Sequence, residues 1–177
     1  MIAPRYVETV ATAPQLEQAV LQRGYSLIKG ALTLLHTTAS LVHMDVKAGN
    51  IFIDSSGLWF LGDHGSCRPA MSPIFTASLE LNPYKLTFNK TLAHDSMDFI
   101  QLCVTIAMLL DIDTVSTLRA EDSTRVSLSR VEIKLQLIQD QSFRDEVLQD
   151  FRTNLTLVQD HLAQATELHS GQVGTRT

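Results

Sequence analysis

Most of the side chains able to do chemistry in this chain gather in one stretch, HMDVKAGNIFIDSSGLWFLGDHG, from His43 to Gly65. Asp45 and Lys47 stand two apart, Asn50 begins the apolar run NIFID, and Asp63 follows the run LWFLG. Two antiparallel strands joined by a tight turn bring their far ends together, so Asn50 and Asp63 are expected to be neighbours. An amide oxygen and a carboxylate at one mouth are hard ligands. They suit Mg²⁺, which takes one or two protein ligands and completes its shell with water and phosphate oxygens. Asp45, on the loop just before, would face the same mouth as a base. Lys47 would offset charge on a transferring phosphoryl group. The spacing therefore points to metal-assisted phosphoryl transfer.

The elements that must position these residues are legible on either side. NIFID (Asn50–Asp54) and LWFLG (Leu58–Gly62) are rich in β-branched and aromatic residues and flank the turn SSG, which predicts a β-hairpin. Residues 1–11 read as extended. TAPQ (Thr12–Gln15) reads as a capping box opening a helix from Leu16 to about Thr38, weakened or divided by Gly24 and Gly30. Val42–His43 is a candidate short strand. Residues 66–94 read as a long ordered loop, and Ser96–Leu110 as an apolar central helix. Beyond an exposed linker, DTVSTLRAEDST, a capping box Ser129…Glu132 opens a helix with the stripe Leu128, Val131, Leu135 and Ile138. The last helix carries Leu148, Phe151, Leu155, Val158, Leu162 and Ala165, a stripe read as core packing in preference to a coiled-coil seam. The fold class expected is mainly α with a small β-hairpin.

Composition narrows the function. With 177 residues, 45% of them hydrophobic, the chain is expected to bury one core and form one domain. A net charge of −5 argues against a nucleic-acid surface. Cys67 and Cys103 form no CxxC pair, which favours a reducing, cytoplasmic setting over a disulfide framework or structural zinc. The longest apolar run, LCVTIAMLL, is too short to span a bilayer, and Met1–Tyr6 lacks the apolar region of a signal peptide. No membrane and no nucleic-acid partner are expected; oligomeric state is not legible.

HMDVKAGN followed by DHG resembles the catalytic loop H-R-D-x-x-x-x-N and the D-F-G metal-binding turn of eukaryotic-type protein kinases. DFIQLCVTIAML from Asp98 resembles the central helix of the kinase C-lobe, usually D-V-W-S-L-G-V-x-L, and TLLHTTASLVHMD resembles the end of the preceding helix. The resemblance implies a protein-kinase-like C-lobe (α+β), with residues 1–170 a partial kinase-like domain of hinge and C-lobe and 171–177 a disordered tail. It implies ATP and Mg²⁺ as cofactors and a protein substrate or partner. Asp45 becomes the catalytic base, and Lys47 the phosphate-contacting lysine of the Ser/Thr class. Asn50 and Asp63 become the metal ligands, Phe52 lies under the adenine, and Asp98 holds the catalytic-loop backbone.

The sequence departs from that pattern in places. Met44 replaces the loop arginine that receives an activating phosphate, and His64 replaces the aromatic residue of the metal turn. LNPYKL stands where A-P-E is expected. No G-x-G-x-x-G loop and no V-A-I-K lysine occur in the 177 residues, so the chain alone is expected to be inactive unless an N-lobe is supplied. The alternative is a catalytically inactive kinase-like C-lobe acting as a protein-binding module. Small-molecule phosphotransferases share H-x-D…N…D, but Lys47 and DHG count against them. His43 reads as structural and Cys67 as inert. His36, His94, His161 and His169 are too scattered for zinc. The two glycosylation sequons, at Asn89 and Asn154, carry no meaning in a cytosolic chain.

Overall fold

The computed structural model describes residues 6–13, 16–74, 91–110, 118 and 126–171. Strand β1 (Tyr6–Thr9) leads into helix α1 (Gln18–Ala39), followed by the short strand β2 (Leu41–Val42). The expected hairpin is present as β3 (Ile51–Asp54) and β4 (Trp59–Leu61), with β5 (Arg68–Pro69) beyond it. Helices α2 (Asp95–Leu109), α3 (Leu128–Leu135) and α4 (Gln141–Gly171) complete the described elements.

Helix α1 is continuous through both glycines. Leu21, Tyr25, Ile28 and Leu32 bury one face at helical spacing, and that packing outweighs the roughly 1 kcal/mol that each glycine costs. Gly24 has a positive role, because a Cβ there would lie 2.3 Å from the Trp59 indole of β4. The expected capping box does not form. The helix opens at Gln18, with Glu17 as an N-cap that makes no side-chain bond. Thr12 instead donates to the Thr9 carbonyl at 3.1 Å, closing a turn after β1. The helix ends at Ser40, which adopts a left-handed backbone (φ 53°) and donates to the Leu35 carbonyl.

The main sheet runs β1-β3-β4, antiparallel throughout. Its register pairs Thr9 with Phe52 and Ile51 with Leu61, and a bulge between Tyr6 and Glu8 interrupts β1. The short strand after α1 falls one residue earlier than expected, at Leu41–Val42, and pairs with β5. Thus the expected loop after residue 66 begins as a strand. A bridge between Pro73 and Leu92 closes its described ends, and residues 75–90 lie outside the description.

Helix α2 is the centre of the core. Ile100, Leu102, Cys103, Val104, Ile106 and Ala107 are all buried around its circumference, as an apolar helix enclosed by others must be. Of the stripe expected on α4, Leu148, Phe151 and Val158 are buried in this core and Leu155 and Leu162 pack against it; Ala165 lies outside the described side chains, and Phe143 and Val147 join the core unforeseen. Each of the buried side chains contributes roughly 1.5–3 kcal/mol. Helix α3 buries Val131 and Leu135, and Ile138 follows its end, also buried. The second expected capping box is replaced too. Ser127 is the N-cap, its hydroxyl 3.0 Å from that of Ser129 and making no capping bond, and Glu132 accepts from Arg152 of α4 at 2.8 Å. Helix α4 runs to Gly171, the first residue of the expected tail; 172–177 lie outside the described residues. Of the expected linker, 113–124, only the buried Leu118 is described.

Candidate active site

The loop from His43 to Asn50 takes its shape from α2. Met44 has φ 66°, a left-handed conformation that costs a side-chain-bearing residue of order 1–3 kcal/mol. Asp98, in the first turn of α2 and wholly buried, holds that turn. Its Oδ1 accepts the Met44 N–H at 2.7 Å and its Oδ2 the His43 N–H at 2.6 Å. His36 of α1 places Nε2 2.8 Å from the same Oδ2. Three donors around one buried carboxylate offset its loss of water. Met44 itself is fully enclosed in the core.

Beyond Met44, three of the expected site residues meet at one oxygen. Asp45 Oδ2 accepts from Asn50 Nδ2 at 2.8 Å and lies 2.9 Å from Lys47 Nζ. Asn50 Nδ2 also donates to the Asp45 carbonyl at 2.9 Å. These two bonds fix the orientation of the amide, turning Oδ1 away from Asp45. Asn50 is not in the strand as expected; it ends a 3₁₀ turn, Ala48–Asn50, immediately before β3.

Strand register delivers the rest. The Gly62 N–H donates to the Asn50 carbonyl at 2.9 Å, so Asn50 and Gly62 face each other and Asp63 emerges beside them. Asp63 is exposed and left-handed (φ 54°), and its Oδ1 accepts from the Gly65 N–H at 3.4 Å. Half-buried Phe52 lies against Gly62, where a Cβ would come within 2.5 Å of its ring. The hairpin and the loop are tied by His43, whose Nε2 donates to the Gly62 carbonyl at 3.0 Å. Burial holds the His43 pKa below the ordinary imidazole value, against the opposing pull of Asp98, which favours a neutral, structural ring. His64 lies at the surface, its ring centroid 5.3 Å from that of His43. The polar replacement of an apolar turn residue is thus accommodated by exposure.

Among the described residues, no three His, Cys, Asp or Glu side chains gather as a metal centre. The Asn50 amide oxygen and the Asp63 carboxylate fit a hard cation that draws its remaining ligands from water and phosphate. Three contributors escaped the reading of the sequence: His36, Gln101 and Thr105. Gln101 and Thr105 follow Asp98 at spacings of three and four and are the polar residues in a run of α2 that is otherwise apolar from Phe99 onward. That pattern is the signal by which they could have been found.

No protein-family model matches the sequence, and no curated protein matches it. The structure is similar to the solved structure of the Cydia pomonella granulovirus kinase PK-1, with a TM-score of 0.59 at 19% identity. The match covers 82% of this chain and 60% of that one. The fold is protein-kinase-like. Within it, the loop carrying Asp45 and the turn carrying Asp63 stand at one end of the β3-β4 hairpin.

Proposed function

We propose that this chain is the hinge and C-lobe part of a Ser/Thr protein-kinase-like phosphotransferase, using ATP·Mg²⁺ and a protein hydroxyl in the cytoplasm. The observation that carries this reading is the sharing of Asp45 Oδ2 by Lys47 and Asn50, with Asp63 brought alongside by strand register. Asp45 orients the acceptor hydroxyl and takes its proton as the oxygen attacks the γ-phosphorus, while the bond from that phosphorus to the β–γ bridging oxygen breaks and ADP leaves. Lys47 steadies the charge spreading over the transferring phosphoryl oxygens. Asn50 Oδ1 and Asp63 hold the metal, whose charge neutralises the phosphates when bound, and Phe52 supports the adenine. Free Cys67 and Cys103 accord with a reducing compartment. Among the described residues, no helix is long and apolar enough to cross a membrane.

Met44 in place of the loop arginine and His64 in the metal turn favour a second reading. On it, the chain is an inactive kinase-like module that binds another protein. Calorimetry of Mg²⁺-dependent ATP binding separates the two. Binding by the chain that disappears in Asp63→Ala supports the phosphotransferase reading. A folded chain that takes up no Mg²⁺·ATP even with a kinase N-lobe supplied in trans supports the binding module.

A further inference from the structure

We infer that Gln101 is a positioning residue that sets the place of Asp45 by gripping the backbone on both sides of it. Gln101 is 1% exposed. Its Oε1 accepts the Val46 N–H at 2.9 Å, and its Nε2 donates to the Met44 carbonyl at 3.2 Å. One carboxamide therefore bridges the residues before and after Asp45 without touching the Asp45 side chain. An amide is suited to this task because it presents a donor and an acceptor side by side in one plane. A carboxylate would hold Val46 and repel the Met44 carbonyl; an aliphatic chain would strand both buried groups.

The clamp extends along one face of α2. Asp98 takes the N–H groups of His43 and Met44, and Gln101 takes the Met44 carbonyl and the Val46 N–H. Thr105 Oγ1 stands 3.3 Å from the Val46 carbonyl and 2.8 Å from the Gln101 carbonyl. Both polar backbone atoms of the strained Met44 are thus held by α2, and the carboxylate of Asp45 is left to face Lys47 and Asn50. That Gln101 serves catalysis rests on Asp45 being the base; that it positions Asp45 stands on the geometry alone.

The test is amide hydrogen exchange and side-chain NMR on the full 177-residue chain, with no nucleotide, so a failed phosphotransfer assay leaves it decisive. In Gln101→Leu the Val46 N–H is expected to exchange at least about 100-fold faster. The Asn50 Nδ2 resonances should move toward those of a free amide, while the Ile106 amide in α2 keeps its protection. Gln101→Glu provides a second reading within one protein. Burial raises the pKa of an introduced glutamate. The protonated acid restores the donor at pH 5, and the ionised form loses it at pH 8. Val46 should keep its protection at both pH values, because either form of the acid accepts its N–H, while the Asn50 signals recover at low pH. Unchanged Val46 and Asn50 signals in Gln101→Leu would overturn the proposal. So would loss of protection at Ile106 equal to that at Val46, or a Gln101→Glu chain whose Asn50 signals ignore pH.

Discussion

Asp98 reaches across 54 positions of sequence to hold the N–H of Met44 at 2.7 Å, fixing a left-handed residue next to Asp45. Replacing Asp98 with alanine strands two buried N–H groups and the ring of His36 at once. A loss of about 3–5 kcal/mol is expected, read as a lower urea midpoint. A midpoint within error of the parent would show that the loop holds itself.

Acid should weaken the fold from about neutrality downward. Burial is the first cause holding both His43 and His94 below the ordinary imidazole value of 6.5; His94 is also disfavoured by the His161 ring, 4.8 Å away. A depressed pKa in the folded state means that the unfolded chain binds more protons as the pH falls below 6.5. The contribution is present above that pH and is lost below it. Urea midpoints measured between pH 8 and pH 5 should therefore fall on the acid side, and His94→Gln should flatten part of the decline.

The two α1 glycines should respond in opposite senses to alanine. At Gly24 a methyl group meets the Trp59 indole at 2.3 Å, and overpacking of this kind costs about 1–3 kcal/mol. At Gly30 nothing lies within 4 Å, so the same change should stabilise by about 0.5–1 kcal/mol through helix propensity. Thermal melts of the two variants on either side of the parent would confirm the contrast.

A polar tether joins α1 to α4. Tyr25 OH donates to Asp150 Oδ2 at 2.5 Å, and Lys29 Nζ lies 2.5 Å from that oxygen and 3.0 Å from Glu146. Burial raises the Tyr25 pKa far above the usual phenol range, so the hydroxyl remains a donor at any working pH. Tyr25→Phe should cost about 1.5–3 kcal/mol, the worth of a hydrogen bond to a charged group, with an unchanged denaturant slope.

Neither thiol should be a fast nucleophile. Burial pushes Cys103 up to about 12 and raises half-buried Cys67 as well. Alkylation at pH 8 followed by mass spectrometry should modify Cys67 slowly in the native chain, and Cys103 only in denaturant. Rapid labelling of Cys103 in the native chain would contradict its enclosure.

The hairpin and the meeting of Asp45, Lys47 and Asn50 were legible because they are local, set by β-branched runs, a tight turn and short spacings. The apolar circumference of α2 was legible for the same reason. What misled were the helix starts. TAPQ and Ser129…Glu132 have the composition of capping boxes, yet Thr12 closes a turn on Thr9 and Glu132 pairs with Arg152. A local turn claimed the first side chain and a tertiary partner the second. The residues that steady the site were hidden for a related reason: His36, Gln101 and Thr105 act across more than fifty positions, where spacing is silent.

The distance of those contacts also bears on how the molecule comes into being. The bonds from α2 to residues 43–46 span 54 to 59 positions, and closing such long loops costs entropy before any contact rewards it. The hairpin can form early from neighbouring residues, but the loop from His43 to Asn50 waits for α2 to dock. On the ribosome, a nascent chain that has passed Asp63 but not Asp98 and Gln101 holds every expected site residue and the hairpin, but not the helix that shapes the loop.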